Sequence, residues 1–149
     1  MIKVEESTVV NRPIEEVFAF LADQTNAPRW QSGLLEVRRT TEGPLGVGTK
    51  HTAVRKFMGR RLEATNEYVV YEPNKEITFK GTANSAAFQH SYFTEYVAEG
   101  TKVISRMEMQ SKGLFGLAEP LIVSSLRREF VANLGELKDL LESTVAATI

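Results

Sequence analysis

The sequence predicts an α+β domain in which a seven-stranded antiparallel sheet curves around one long C-terminal helix, with two short helices between the first and second strands. Three observations point there. Residues 10–30 read as a short amphipathic helix running into a turn anchored by Trp30, and residues 120–143 read as one long amphipathic helix. Nearly everything between them alternates apolar and polar with the period of a strand. A long helix that follows a curved sheet must lie across it, and small side chains at the contact leave room to enclose something apolar.

The elements follow in order. Ile2, Val4 and Val9 fit a half-buried first strand over residues 2–10. Asn11 and Arg12 stand where a helix cap belongs, Pro13 presets φ in the first turn, and Glu15 and Glu16 face the positive end of the helix dipole. Ile14, Val17, Phe18 and Leu21 then recur at helical spacing as one apolar face. Turn chemistry at Asn26, Pro28 and Gly33 suits a short helix or compact loop, which Trp30, the only tryptophan, pins against the sheet.

Six further strands are expected at residues 34–41, 48–58, 60–71, 76–81, 87–98 and 101–111. A loop at 43–48, a tight hairpin at Gly59, a turn at Pro73 and Asn74, and a hairpin at Glu99 and Gly100 separate them, so sequence neighbours can pair antiparallel. Alternation puts Leu62, Ala64, Asn66, Tyr68 and Val70 on the inner face, with Phe88, His90, Tyr92, Thr94 and Tyr96, and with Val103, Ser105, Met107 and Met109. A bulge in any strand would invert part of this assignment. Glu63, Glu67, Glu95 and Glu108 fall on the solvated face.

In the closing helix Phe130, Leu134, Leu137 and Leu141 form a stripe that continues back through Val123 and Leu126 or Arg127. Ser124, Ser125, Arg127 and Arg128 interrupt its first half, so the helix is expected to grip the sheet at one end and loosen at the other. Pro120 either opens that helix or kinks it. Residues 114–119, an apolar flap between glycines, and the small polar loop at 81–86 are expected to flank an entrance.

Composition narrows the function classes. The 149 residues, 42% apolar and 25% charged, describe one soluble domain. A formal charge of -1 supplies no field that draws in nucleic acid or acidic lipid, so no nucleic-acid partner is expected. Without cysteine there is no disulfide, thiolate nucleophile or cysteine zinc site, and with just His51 and His90 no metal and no cofactor are expected. The start MIKVEEST lacks the apolar stretch of a signal peptide, and no window approaches the ~18 apolar residues of a bilayer span. No membrane insertion and a cytoplasmic address are therefore expected. The glycines at 43–48 lack the strand and helix context of a nucleotide-binding loop, and no nucleophile elbow is present.

RPIEEVFAFLADQTNAPRW, EGPLGVGT at residues 42–49, FMGRR at 57–61, EGTKV at 99–103 and LGELKDLLE in the last helix resemble the SRPBCC superfamily. This helix-grip group includes START lipid-transfer domains, the birch-pollen allergen and polyketide cyclase/dehydratase-like bacterial proteins. The resemblance covers almost the whole chain. It implies an internal cavity for a small hydrophobic molecule between sheet and helix, and it allows a homodimer through the first strand or the outer sheet face. It transfers no catalytic residue, because members line the cavity differently.

Chemistry therefore has to come from inward-pointing polar groups. His51 and His90 are the catalytic candidates, since an imidazole exchanges protons near neutral pH, as aldol cyclisation or dehydration of a polyketone would need. The competing reading is a pair of partly buried, hydrogen-bonded rings. Arg55 and Arg128 are candidates for a ligand carboxylate or phosphate, and Tyr68, Tyr92 and Tyr96 could supply hydroxyls to a ligand, although buried tyrosines usually satisfy structural bonds. Asn66, an amide among apolar neighbours, needs a partner. Arg55, Asn66, Tyr68, His90, Tyr92 and Arg128, with Phe57, Phe88, Met107, Leu117, Leu121 and Ser124, make the expected cavity lining. Two functions compete: a carrier of an apolar metabolite, lipid or polyketide-like ring system, and a polyketide cyclase/dehydratase-type enzyme. A protein-interaction module is the third reading.

Overall fold

The alternation resolves into β1 (Ile2–Val10), β2 (Leu34–Arg39), β3 (Lys50–Phe57), β4 (Arg60–Glu72), β5 (Glu76–Ala83), β6 (Ala86–Val97) and β7 (Gly100–Met109). α1 (Ile14–Ala22) and a 3-10 turn (Gln24–Arg29) join β1 to β2, and α2 (Phe115–Ser143) closes the chain. This computed structural model describes residues 1–57, 59–84, 86–110 and 115–143, without the side chains at 57 and 115–117. All strands lie in one antiparallel sheet ordered β1-β7-β6-β5-β4-β3-β2. Each neighbour in sequence from β2 onward is a neighbour in space, and β1 adds itself to the free edge of β7.

Cross-strand register fixes which side chains share the concave face. Tyr68, Phe79, His90, Met107 and Val4 form one row across β4, β5, β6, β7 and β1. A bulge between Tyr68 and Val70 breaks the expected alternation in β4. Beyond it Tyr71, opposite Ile77, turns inward and meets Tyr68 and Phe18, so Tyr71 replaces Val70 in the core. Tyr96 is a second correction: at 72% exposed it lies past the covered part of the sheet, and its hydroxyl donates to Glu15 of α1.

Gly81 of β5 lies close against the backbone of β4. A Cβ there would come within 1.8 Å of the Thr65 carbonyl oxygen, so only glycine permits the approach. Gly100 opens β7 at φ 136°, where an added Cβ would run into the Val10 carbonyl oxygen, so the position favours glycine.

Helix α1 starts differently from expectation. Pro13 itself takes the cap position, without a side-chain cap bond, while Arg12 pairs with Glu16 at 2.6 Å and the Asn11 N–H donates to Glu142 of α2 at 2.8 Å. Val17, Phe18 and Leu21 of α1 join Val10, Trp30, Tyr92, Val103, Leu134, Leu137 and Leu141 in the main core. Each such buried apolar side chain contributes about 2 kcal/mol. Trp30 meets Tyr92 edge-on at 5.9 Å, which fixes the turn against β6.

α2 begins before Pro120, which sits inside the helix and withholds one backbone donor. Its buried stripe runs Ile122, Leu126, Phe130, Leu134, Leu137 and Leu141. Val123 is thus one residue off the stripe, and Arg127 faces solvent beside Glu6 at 3.5 Å. The second half belongs to the main core and is tied down where Lys138 donates to the Val9 carbonyl at 2.8 Å. The first half packs on Ile2, Val4 and Met107 in a separate, smaller cluster, closest to β1.

Candidate functional site

Between those two clusters lies a seam, and a polar ring occupies it. His90 of β6 stacks on Phe79 of β5 at 5.3 Å and meets Tyr92 at 4.6 Å, both in the main core. On its other side it lies nearly parallel to Phe130 of α2, at 5.5 Å and 13°, in the smaller cluster. Phe88 continues this aromatic floor edge-on to Phe79. Phe88, His90 and Met109 stay only partly buried although they face the helix, whereas Phe79, Tyr92, Met107 and Phe130 are buried.

The polar atoms of the floor are held in an uncharged state. His90 Nε2 shares a 2.8 Å hydrogen bond with Ser105 Oγ of β7. Burial, helped by the nearby Arg55 charge, holds the His90 pKa down to about 3, so the ring is neutral at any ordinary pH. The Tyr92 hydroxyl accepts from Gln31 Nε2 at 3.2 Å, and burial raises its pKa. Arg55 reaches from β3 to Glu129 of α2 and forms an ion pair between sheet and helix. Gly33 packs against this pair: a Cβ at Gly33 would lie 2.7 Å from Glu129 Oε1, and the Gly33 carbonyl accepts from the Lys56 N–H at 2.7 Å.

His51 is elsewhere. It pairs across β3 and β4 with Asn66, and Tyr68 and Phe79 stand between the two imidazoles, His51 to Tyr68 at 5.4 Å and Tyr68 to Phe79 at 5.9 Å. With β4 and β5 intervening, the rings are on the order of 14 Å apart along the sheet, so they do not meet on one reacting atom. His51 is 1% exposed, and neither ring nitrogen has a hydrogen-bond partner among the described residues. Burial and the Arg39 charge lower its pKa.

Two expected ligand groups are engaged by the protein itself. Asn66 exchanges reciprocal amide hydrogen bonds with Gln24 of the 3-10 turn, at 3.0 and 3.1 Å, which supplies the partner its burial requires. The Tyr68 hydroxyl donates to the Ala22 carbonyl at 2.6 Å at the end of α1, and burial pushes its pKa up.

Three helix positions need correction. Leu121 is 69% exposed, and Ser124 and Arg128 are exposed and hydrogen-bonded to each other at 3.0 Å on the outward side of α2. There Ser124 and Arg128 line an open groove of about 440 Å³ together with Pro120 and Val131, away from the aromatic floor. A second depression, about 330 Å³, is lined largely by the polar outer-face side chains Lys50, Thr65, Glu67 and Lys80. The side chains of Phe57 and Leu117 lie outside the described residues, as do residues 85 and 114 of the segments expected to flank an entrance. Gln24, Gln31 and Glu129 were not expected from the sequence. Polar residues in a turn or beside an apolar stripe carry no periodic signal, although Glu129 adjoins Phe130.

Comparison with known proteins decides the family. Residues 1–142 match the profile described as polyketide cyclase / dehydrase and lipid transport. The chain belongs to that family. A Mycobacterium bovis member of the curated proteins, named only as uncharacterized, is 28% identical over 134 residues, 84% of this chain and 77% of its own length. TTHA0849 from Thermus thermophilus superposes with a TM-score of 0.81 at 16% identity and covers 99% of both chains. The Zhui aromatase/cyclase from Streptomyces sp. R1128 gives 0.79 at 17% identity over 96% of this chain and 94% of its own. At these identities the structural likeness is one of fold, and it agrees with the helix-grip architecture and the SRPBCC resemblance. Among the described residues no cluster of His, Asp or Glu is arranged to hold a metal ion, and no helix is long and apolar enough to cross a membrane.

Proposed function

We propose that this member of the polyketide cyclase / dehydrase and lipid transport family binds a small hydrophobic molecule between the aromatic floor and the first half of α2. The observation that carries the reading is the seam at His90, where two apolar clusters meet around a partly exposed polar ring. A well-packed interior seldom leaves aromatic side chains of its covered face partly open. The first half of α2 is the movable wall, since it rests on the smaller cluster, while the second half is set in the main core and tied to Val9 and Asn11.

Binding is favoured over acid-base catalysis for a chemical reason. Cyclisation or dehydration needs a group that exchanges a proton near neutral pH. His90 at about 3 holds no proton to give and is a weak base, and the tyrosines Tyr68 and Tyr92 are pushed the other way. Native mass spectrometry of protein purified from cells tests the reading: a co-purifying apolar compound, lost on adding competing 2-naphthol, is the expected result. Apo protein that also ignores millimolar 2-naphthol would overturn it.

A further inference from the structure

The charges around the seam suggest what kind of molecule enters it. Arg55 is brought to the aromatic floor by its neighbours: its partner Glu129 precedes Phe130, which stacks on His90, and Gly33, packed against the pair, follows two residues after Gln31, whose amide donates to Tyr92. Its charge is compensated by Glu129, with both side chains largely withdrawn from solvent, at 24% and 18% exposed. Gly33 backs the carboxylate, so the pair is confined by β3, α2 and the turn leading into β2. The remaining polar groups, His90, Ser105, Tyr92 and Gln31, are uncharged and hydrogen-bonded to one another in pairs.

We infer that the Arg55–Glu129 pair makes the site selective for uncharged, flat ring molecules over carboxylates, with Glu129 as the specificity-determining residue. The inference rests on the binding reading above and names its ligand class. A carboxylate entering the seam would lose its hydration and find the neighbouring cation already neutralised. To reach Arg55 it would have to displace Glu129, leaving that carboxylate half-buried and unpaired. An uncharged phenol meets no such cost, and the partly open rings of Phe88 and His90 offer it an aromatic surface. The Arg55 guanidinium thus acts as a structural strut between strand and helix, which reverses the role of ligand anchor expected from the sequence.

Calorimetric titration at pH 7 with 2-naphthol and 2-naphthoate, which share a ring system and differ in charge, tests this. Naphthol is expected to bind at least tenfold tighter than naphthoate; equal or tighter binding of naphthoate would overturn the inference while leaving the binding reading intact. Glu129→Gln removes the negative charge that compensates Arg55 and is expected to raise naphthoate affinity at least tenfold with naphthol affinity nearly unchanged. An unaltered ratio in that variant would remove Glu129 from the role. The uncharged pair Arg55→Gln/Glu129→Gln is expected to keep the preference for naphthol, and a gain in naphthoate binding there would also contradict the inference. Failure of the native protein to bind either probe would sink the binding reading itself.

Discussion

The imidazole of His90 and the ring of Phe130 lie 5.5 Å apart and within 13° of parallel, joining β6 to α2 at the point where the two core clusters meet. Phe130→Ala removes this stack and opens a void under the helix. The expected cost is about 3 kcal/mol, read as a lower urea midpoint at unchanged slope. A loss under about 1 kcal/mol would mean that α2 does not rest on the sheet there.

The depressed pKa of His90 has a definite sign in stability. The unfolded ring takes a proton near its ordinary pKa of 6.5 and the folded ring only near 3, so between these values the unfolded state binds more protons. Stability is therefore full above pH 6.5 and falls as pH drops towards 3, by at most about 1.4 kcal/mol per pH unit for this ring. His51, also lowered, acts in the same direction. Urea unfolding between pH 7.5 and 5, above the range where carboxylates titrate, should show a shallower slope in His90→Phe than in the native protein. Identical slopes would show that His90 charges freely in the fold.

Asn66 and Gln24 satisfy one another inside the protein, so removing either strands the other. Asn66→Ala and Gln24→Ala are each expected to cost about 2 kcal/mol. The double variant should cost clearly less than the sum, and strict additivity in a double-mutant cycle would contradict the pairing.

Gly81→Ala places a methyl group 1.8 Å from the Thr65 carbonyl oxygen, a backbone atom that can retreat only if β4 and β5 part. A loss of at least about 3 kcal/mol is expected, seen as a lowered melting temperature or loss of soluble protein. Near-native melting would mean that β5 does not approach Thr65 so closely.

Much of the fold is legible in the sequence because its signals are local. Ile2 to Val10 alternates, Gly59 and Gly100 punctuate hairpins, and Leu134, Leu137 and Leu141 repeat at helical spacing. The errors arise where one residue shifts the phase. The bulge after Tyr68 exchanges Val70 for Tyr71, and on α2 the stripe passes through Ile122 rather than Val123, about 100° away around the helix. The site is less legible because its decisive contacts are tertiary. Nothing near Arg55 in the chain announces Glu129, 74 residues later, and nothing near Asn66 announces Gln24.

Intermolecular nuclear Overhauser effects in a complex with 2-naphthol test the placement of the ligand most directly. Cross-peaks from the naphthol ring to Phe88, His90 and Met109 are the expected result. Cross-peaks confined to Val131 and Ala132, in the outward groove of α2, would contradict it.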